Sequence, residues 1–196
     1  MQTPYKIGLT GGIGSGKTTI CKIFESLGIP IFNSDEYAKQ LLKNNTQIIE
    51  KIKKTFGENI VNENRINKQK ISQIIFSNEK KLKIINDIIH PVVIQGFNQW
   101  CEKQTTKYII KESALLFESK TYRELDKIIW VEASENLRIK RVEKRDNRKK
   151  NEIKKIINNQ IHYKDVKTKI DYLINNNETI LITPLILKIH EEIGQL

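Results

Sequence analysis

The chain is poor in the residues that build disulfide scaffolds and metal centres. Its 196 residues include two cysteines and three histidines. Cys21 and Cys101 have no metal-ligand spacing and no partner close in sequence, and His90, His162 and His190 form no cluster, so neither a disulfide nor a zinc site is expected. Long apolar runs are missing as well. Nothing approaches the roughly 18 residues that would span a bilayer, and the opening MQTPYK has neither the apolar stretch nor the cleavage site of a secretory signal. A cytoplasmic protein with no membrane partner is expected. Acidic residues are also in short supply, 23 against 34 Lys and Arg, which leaves a formal charge of +11. Such a surplus suits a polyanion, either nucleic acid or a multiply phosphorylated small molecule, and does not choose between them.

The surplus is concentrated. Residues 138 to 155, RIKRVEKRDNRKKNEIKK, carry ten basic and three acidic side chains, a net +7. A solvated basic helix face would account for the run. Arg138, Arg141 and Arg145 nevertheless follow one another at spacings of three and four, which puts their guanidinium groups on one helix face. A lid over about 138–165 is therefore expected, since a mobile arginine can close on a phosphoryl group whose negative charge is spread over its oxygens.

With 38% hydrophobic residues the chain can form one complete core and is too short for two ordinary domains. Tyr5 to Thr10 (YKIGLT) reads as a buried strand, and Ile20, Ile23, Phe24 and Leu27 then recur at helical spacing. Gly28 and Pro30 end that helix, and Ile29 to Phe32 reads as a second strand leading to Asn33, Ser34 and Asp35. Further strands are expected at Tyr108–Lys111, Lys127–Val131 and Tyr172–Ile174. Ile48, Ile49, Ile52 and Phe56 share one helix face, as do Leu185, Ile186, Ile189 and Ile193, the latter behind Thr183 as N-cap and Pro184 in the first turn. Alternating strands and helices predict an α/β fold, a parallel sheet covered by helices on both faces, with binding at the carboxyl ends of the strands. Within this one domain, 1–35 and 108–196 form the core, and the polar, mostly helical stretch 36–107 is an insertion.

Gly11-Gly12-Ile13-Gly14-Ser15-Gly16-Lys17-Thr18 matches G-x-x-x-x-G-K-[ST], after a predicted strand and before a predicted helix. Glycines let the loop wrap its N–H groups around phosphate oxygens, and the helix N-terminus adds its positive end. Lys17, expected to face solvent when no ligand is bound, would reach the β- and γ-phosphates, and the Thr18 hydroxyl would ligate Mg²⁺. A guanine-reading N-K-x-D is lacking, because Asn67-Lys68-Gln69-Lys70 ends in Lys. A nucleic-acid motor would carry a second acidic motif on a strand, and Glu112 after YIIK is the nearest candidate, either reaching the metal through water or merely ending a strand. Asp35, closing the second strand, is a candidate to orient an acceptor hydroxyl and take its proton late, or else a helix N-terminal acid.

GLTGGIGSGKTT at Gly8 to Thr19 is similar to the N-terminus of dephospho-coenzyme A kinases, and the resemblance runs through nearly the whole chain. FGENIV at Phe56–Val61, His90-Pro91, LLFE at Leu115–Glu118, Arg141 with Arg145-Asp146, Gln160 and DYLINN at Asp171–Asn176 carry it further. The resemblance implies a P-loop kinase with a helical substrate-binding part and a lid, using ATP and Mg²⁺ to phosphorylate the ribose 3'-hydroxyl of dephospho-coenzyme A. It places Gly12, Ile13, Gly14, Ser15, Gly16, Lys17, Thr18, Thr19 and Asn176 on ATP, Asp35, His90 and Lys68 on the acceptor, and Lys17, Asp35, Arg141 and Arg145 in catalysis. A monomer acting on small molecules, without nucleic acid, is expected. The chain departs from the family at Asn33 and Ser34, where an acid and an alanine are usual, at Ala114, usually proline, and at Lys68, usually arginine. Another small nucleoside or nucleotide kinase, or a nucleic-acid-binding P-loop ATPase, is the alternative.

Overall fold

The computed structural model describes residues 3–62, 65–67, 70–71 and 79–196. Its backbone divides into two compact units, one made of residues 1–33 with 101–196 and the other of residues 34–100.

The first unit is built on five parallel strands in the order β2-β5-β1-β6-β7. These are β1 (Tyr5–Thr10), β2 (Ile31–Asn33), β5 (Tyr108–Glu112), β6 (Lys127–Glu132) and β7 (Tyr172–Asn175). Strands buried on both faces read as nearly unbroken apolar runs, and IIWV in β6 is an example. Ile129 and Val131 join Ile7, Leu9 and Ile110 on one face, beneath Ile20 and Phe24 of α1 (Lys17–Ser26) and Ile186, Ile189 and Ile193 of α8 (Thr183–Gly194). Ile128 and Trp130 point the other way and pack with Leu116, Phe117 and Val166, the last on the short helix α7 (Tyr163–Val166).

The register aligns the strand ends. Leu9 and Asn33 both lie opposite Glu112, and Glu132 lies opposite Asn175, so the carboxyl ends of all five strands form one edge. Two helices follow β6 towards that edge, α5 (Glu135–Asp146) and α6 (Lys150–Asn158), joined at Asn147 in the left-handed conformation. Ile139 and Val142 of the first interlock with Ile153 and Ile157 of the second. Each of these buried side chains contributes about 1.5–3 kcal/mol of transfer free energy, which holds the pair together despite its charged exterior.

Two sequence expectations shift. The second strand begins at Ile31, two residues late: the Pro30 carbonyl accepts from the Ile110 N–H at 3.0 Å, but proline has no N–H to return. Helix α8 starts with Thr183 already inside it, and Ile182 at the N-cap makes no side-chain capping bond, so Thr183 is not the cap.

The second unit contains α2 (Ser34–Asn44), α3 (Thr46–Phe56), the short antiparallel pair β3 (Val61–Asn62) and β4 (Arg65–Ile66), and α4 (Glu79–Cys101), whose last residue belongs to the first unit. The Asn45 side chain caps α3 by accepting from the Ile48 N–H at 3.0 Å. Ile48, Ile49, Ile52, Ile60, Ile85, Ile89, Val93 and Phe97 form its apolar interior.

Candidate functional site

The loop between β1 and α1 crosses the carboxyl edge of the sheet. Gly16, the N-cap of α1, has φ 98°, and Gly14 has φ 77°. A Cβ on Gly14 would sit 2.5 Å from the Arg138 carbonyl oxygen, and one on Gly16 would strike the Asn176 side-chain amide. Both positions need glycine for conformation and for space. The start of α1 is the end of the helix that carries partial positive charge. Ser15 Oγ is buried in the loop with no protein partner. These features fit a bound phosphate chain.

Lys17 corrects an expectation. Its side chain does not face solvent: it is 9% exposed and folds back so that Nζ donates to Gly11 O at 2.8 Å and Gly12 O at 3.3 Å. Thr18 and Thr19, next on α1, are exposed. Glu112 ends β5, the strand beside β1, and at 4% exposure is buried, so it is no solvated strand end.

The three arginines of α5 diverge. Arg138 is 8% exposed and its Nε donates to Ile13 O at 2.9 Å; burial pulls its guanidinium below the ordinary arginine value, against the pull of Glu132 and Glu135. Arg141 uses all five of its N–H groups. Nη1 donates to Gly14 O and Ser15 O, Nη2 to Asn176 O and Glu178 Oε1, and Nε to the same Glu178 oxygen, over 2.8–3.3 Å. Arg145 turns outward, with Nε and Nη2 on the two carboxylate oxygens of Asp146 at 2.7 and 2.8 Å. Asn176, the residue after β7, approaches the loop with its Nδ2 donating to Ser15 O at 2.8 Å. On the loop's other side a cleft is lined by Gly11, Gly12, Ala114, Phe117, Trp130 and Gln160.

The structure thus gathers Lys17, Thr18, Arg141 and Asn176 around one loop. Asp35 and His90 belong to the other unit: Asp35 is half-buried in the first turn of α2, and His90 is half-buried inside α4, just before Pro91. Lys68 lies outside the described residues. Three further residues complete the loop's surroundings. Arg138 was visible by its spacing and Gln160 by its place in the resemblance. Glu178, held in the left-handed conformation at φ 61°, had no sequence signal.

A family model described as dephospho-CoA kinase matches residues 5–181. A protein of that name from Gamma-proteobacterium EBAC31A08 is 38% identical over 175 residues, 89% of each chain. Among solved structures, dephospho-CoA kinase from Campylobacter jejuni superposes with a TM-score of 0.70 at 28% identity, over 97% of both chains. A Thermus thermophilus crystal structure reaches a TM-score of 0.87 at 24% identity, covering 97% of this chain and 98% of that one, a likeness of fold.

Proposed function

Because the chain belongs to the dephospho-CoA kinase family, we propose that it transfers the γ-phosphoryl group of ATP to the ribose 3'-hydroxyl of dephospho-coenzyme A, giving coenzyme A and ADP. The observation that carries the reading is the loop itself. Its glycine backbone, the helix terminus, the unpartnered Ser15 hydroxyl and the Lys17 ammonium stand together at the carboxyl edge of the sheet.

The residue roles belong to the same proposal. The loop N–H groups and Lys17 cradle the β- and γ-phosphates, and Lys17 exchanges its carbonyl partners for phosphate oxygens as charge develops there. Asn176 and Arg141 hold the outside of the loop. Arg145 supplies a guanidinium after releasing Asp146. Asp35 orients the acceptor hydroxyl and takes its proton late, while His90 and Lys68 bind other parts of the acceptor. Asn33 can hydrogen-bond a ribose or a water but cannot serve as a base. Mg²⁺ would be held by the Thr18 hydroxyl together with phosphate oxygens and waters, with Glu112 acting through a water, and it would neutralise phosphate charge. The described residues contain no cluster of three or more His, Cys, Asp or Glu that would cage an ion. The proposal includes a cytoplasmic monomer acting on small molecules. No helix among the described residues is long and apolar enough to cross a membrane.

The test is an acceptor panel with ATP and Mg²⁺, read by product mass. Dephospho-coenzyme A gaining one phosphoryl group, without nucleic acid, is the expected result. Turnover of ATP only when nucleic acid is added, with steep salt dependence, would replace this reading by the nucleic-acid-dependent ATPase that the basic stretch also suits.

A further inference from the structure

We propose that Ile13 is the point through which the α5–α6 helical pair sets the shape of the phosphate loop, with Arg138 and Gln160 as positioning residues. The inference rests on the nucleotide-binding reading of that loop. Three separate contacts converge on this residue. Its N–H donates to Gln160 Oε1 at 2.8 Å, and its carbonyl accepts from Arg138 Nε at 2.9 Å. Its side chain packs against Ile139, Val142, Ile153 and Ile157, the seam between the two helices. The two positioning side chains also approach each other, with Arg138 Nη2 3.5 Å from the same Gln160 oxygen. Arg138 lies on α5 and Gln160 two residues beyond α6, so both arms of the pair grip one residue of the loop, one on each of the two peptides that flank its Cα.

The loop needs such a grip. A glycine-rich segment gives up much conformational entropy when it is ordered, and a loop that must be ordered by its ligand spends binding free energy on that step. With both polar groups and the side chain of Ile13 fixed, the planar peptides that follow have little freedom left, and Gly14 is already pressed against the Arg138 backbone. The donors of the loop are therefore aimed before the nucleotide arrives, the preorganisation that makes such donors effective. Gln160 also occupies the Ile13 N–H, which keeps that donor out of competition for the phosphate. Residue 13 is one of the unrestricted positions of G-x-x-x-x-G-K-[ST], so the motif itself does not demand this side chain. A displacement of the helical pair would be passed to the loop through it.

Gln160→Met and Ile13→Ala test the proposal in the full chain. The first removes the acceptor at nearly constant length, and the second withdraws the side chain from the seam while leaving the peptide. ADP affinity by calorimetry, amide hydrogen exchange at Ile13 and the melting temperature of the free protein are measured together. In Gln160→Met the Ile13 amide should exchange at least ~10-fold faster, and in both variants ADP should bind about tenfold more weakly, the equivalent of roughly one net hydrogen bond. ADP affinities within twofold of wild type, whether or not the melting temperature falls, overturn the proposal: the contacts would then support the fold alone. If Ile13→Ala does not fold, Gln160→Met decides. A wild-type protein that binds no ADP would defeat the nucleotide-binding reading itself, a distinct result.

Discussion

Lys17→Met separates the two things the buried lysine does. Methionine keeps an unbranched stem and removes the ammonium. In the free protein the loss is largely self-compensating. Hydrogen bonds from a charged donor are worth about 1.5–3 kcal/mol each, whereas keeping an ammonium away from water costs several kcal/mol. Gly12 O retains the Ser15 N–H at 3.2 Å, so Gly11 O is the carbonyl most exposed to the loss of its 2.8 Å partner. A net destabilisation of about 1–2 kcal/mol follows, or roughly 2–8 °C in melting temperature for a chain of this size. Catalysis has no such compensation, because the ammonium must offset charge that grows on the transferring group in a site that excludes water. The rate constant kcat for phosphorylation of dephospho-coenzyme A should fall by about 10²–10³, the usual cost of one preorganised electrostatic donor. The assay is ADP release with product mass, run beside calorimetric ADP binding and thermal melting on the same preparation. A kcat within tenfold of wild type would refute the argument. So would a melting temperature lowered by far more than the ~8 °C upper bound, since Lys17 would then be holding the fold together.

What the sequence revealed and what it withheld divide along the range of the interactions involved. Strands β1, β5 and β6 were legible because parallel strands buried on both faces must be apolar nearly throughout, and β7, at the sheet edge with only Ile174 buried, by its short apolar run. The phosphate loop was legible because its glycines answer to torsions and clearances that no other residue meets. The start of β2 was misplaced by a local term, the missing N–H of Pro30, which an apolar run does not register. The surroundings of the loop depend on long-range pairing. Gln160 meets Ile13 across 147 residues, Arg138 meets it across 125, and Asn176 meets Ser15 across 161, so no local pattern encodes these contacts. The spacing of Arg138, Arg141 and Arg145 correctly implied a shared helix, but it could not foretell three different environments, running from 8% exposure at Arg138 to an outward pair with Asp146 at Arg145. The burial of Lys17 was missed because the loop offers its own carbonyls to the ammonium, a contact invisible in composition.

The Arg145 side chain is exposed and paired with its sequence neighbour, so Arg145→Ala should change stability by no more than ~0.5 kcal/mol while lowering kcat; unchanged turnover would reduce the basic run to a solvated face. Burial pushes the Cys21 thiol up to about 12 from 9.0, helped by Glu112 and Glu25, so native Cys21 should resist alkylation at pH 8. The same shift gives a sign for stability: the native state keeps a proton that the unfolded state loses above pH 9, so this contribution is intact below pH 9 and is lost as pH rises towards 12. Urea titrations of wild type and Cys21→Ala from pH 8 to 10.5 check it, and equal slopes for the two proteins would contradict it. Asp35 stands in the first turn of α2, where a carboxylate also favours the helix terminus, so Asp35→Asn must be read on two scales at once. If its charge serves only the helix, stability falls by about 1 kcal/mol or less and turnover stays unchanged. If it orients and deprotonates the acceptor, ADP affinity is kept and kcat drops by roughly 10²–10³, the lower half of the range for a positioned base, because phosphoryl transfer is largely dissociative and asks little of its base until late. An unchanged kcat in a variant with normal ADP binding would take Asp35 out of catalysis and leave the acceptor hydroxyl without an assigned base.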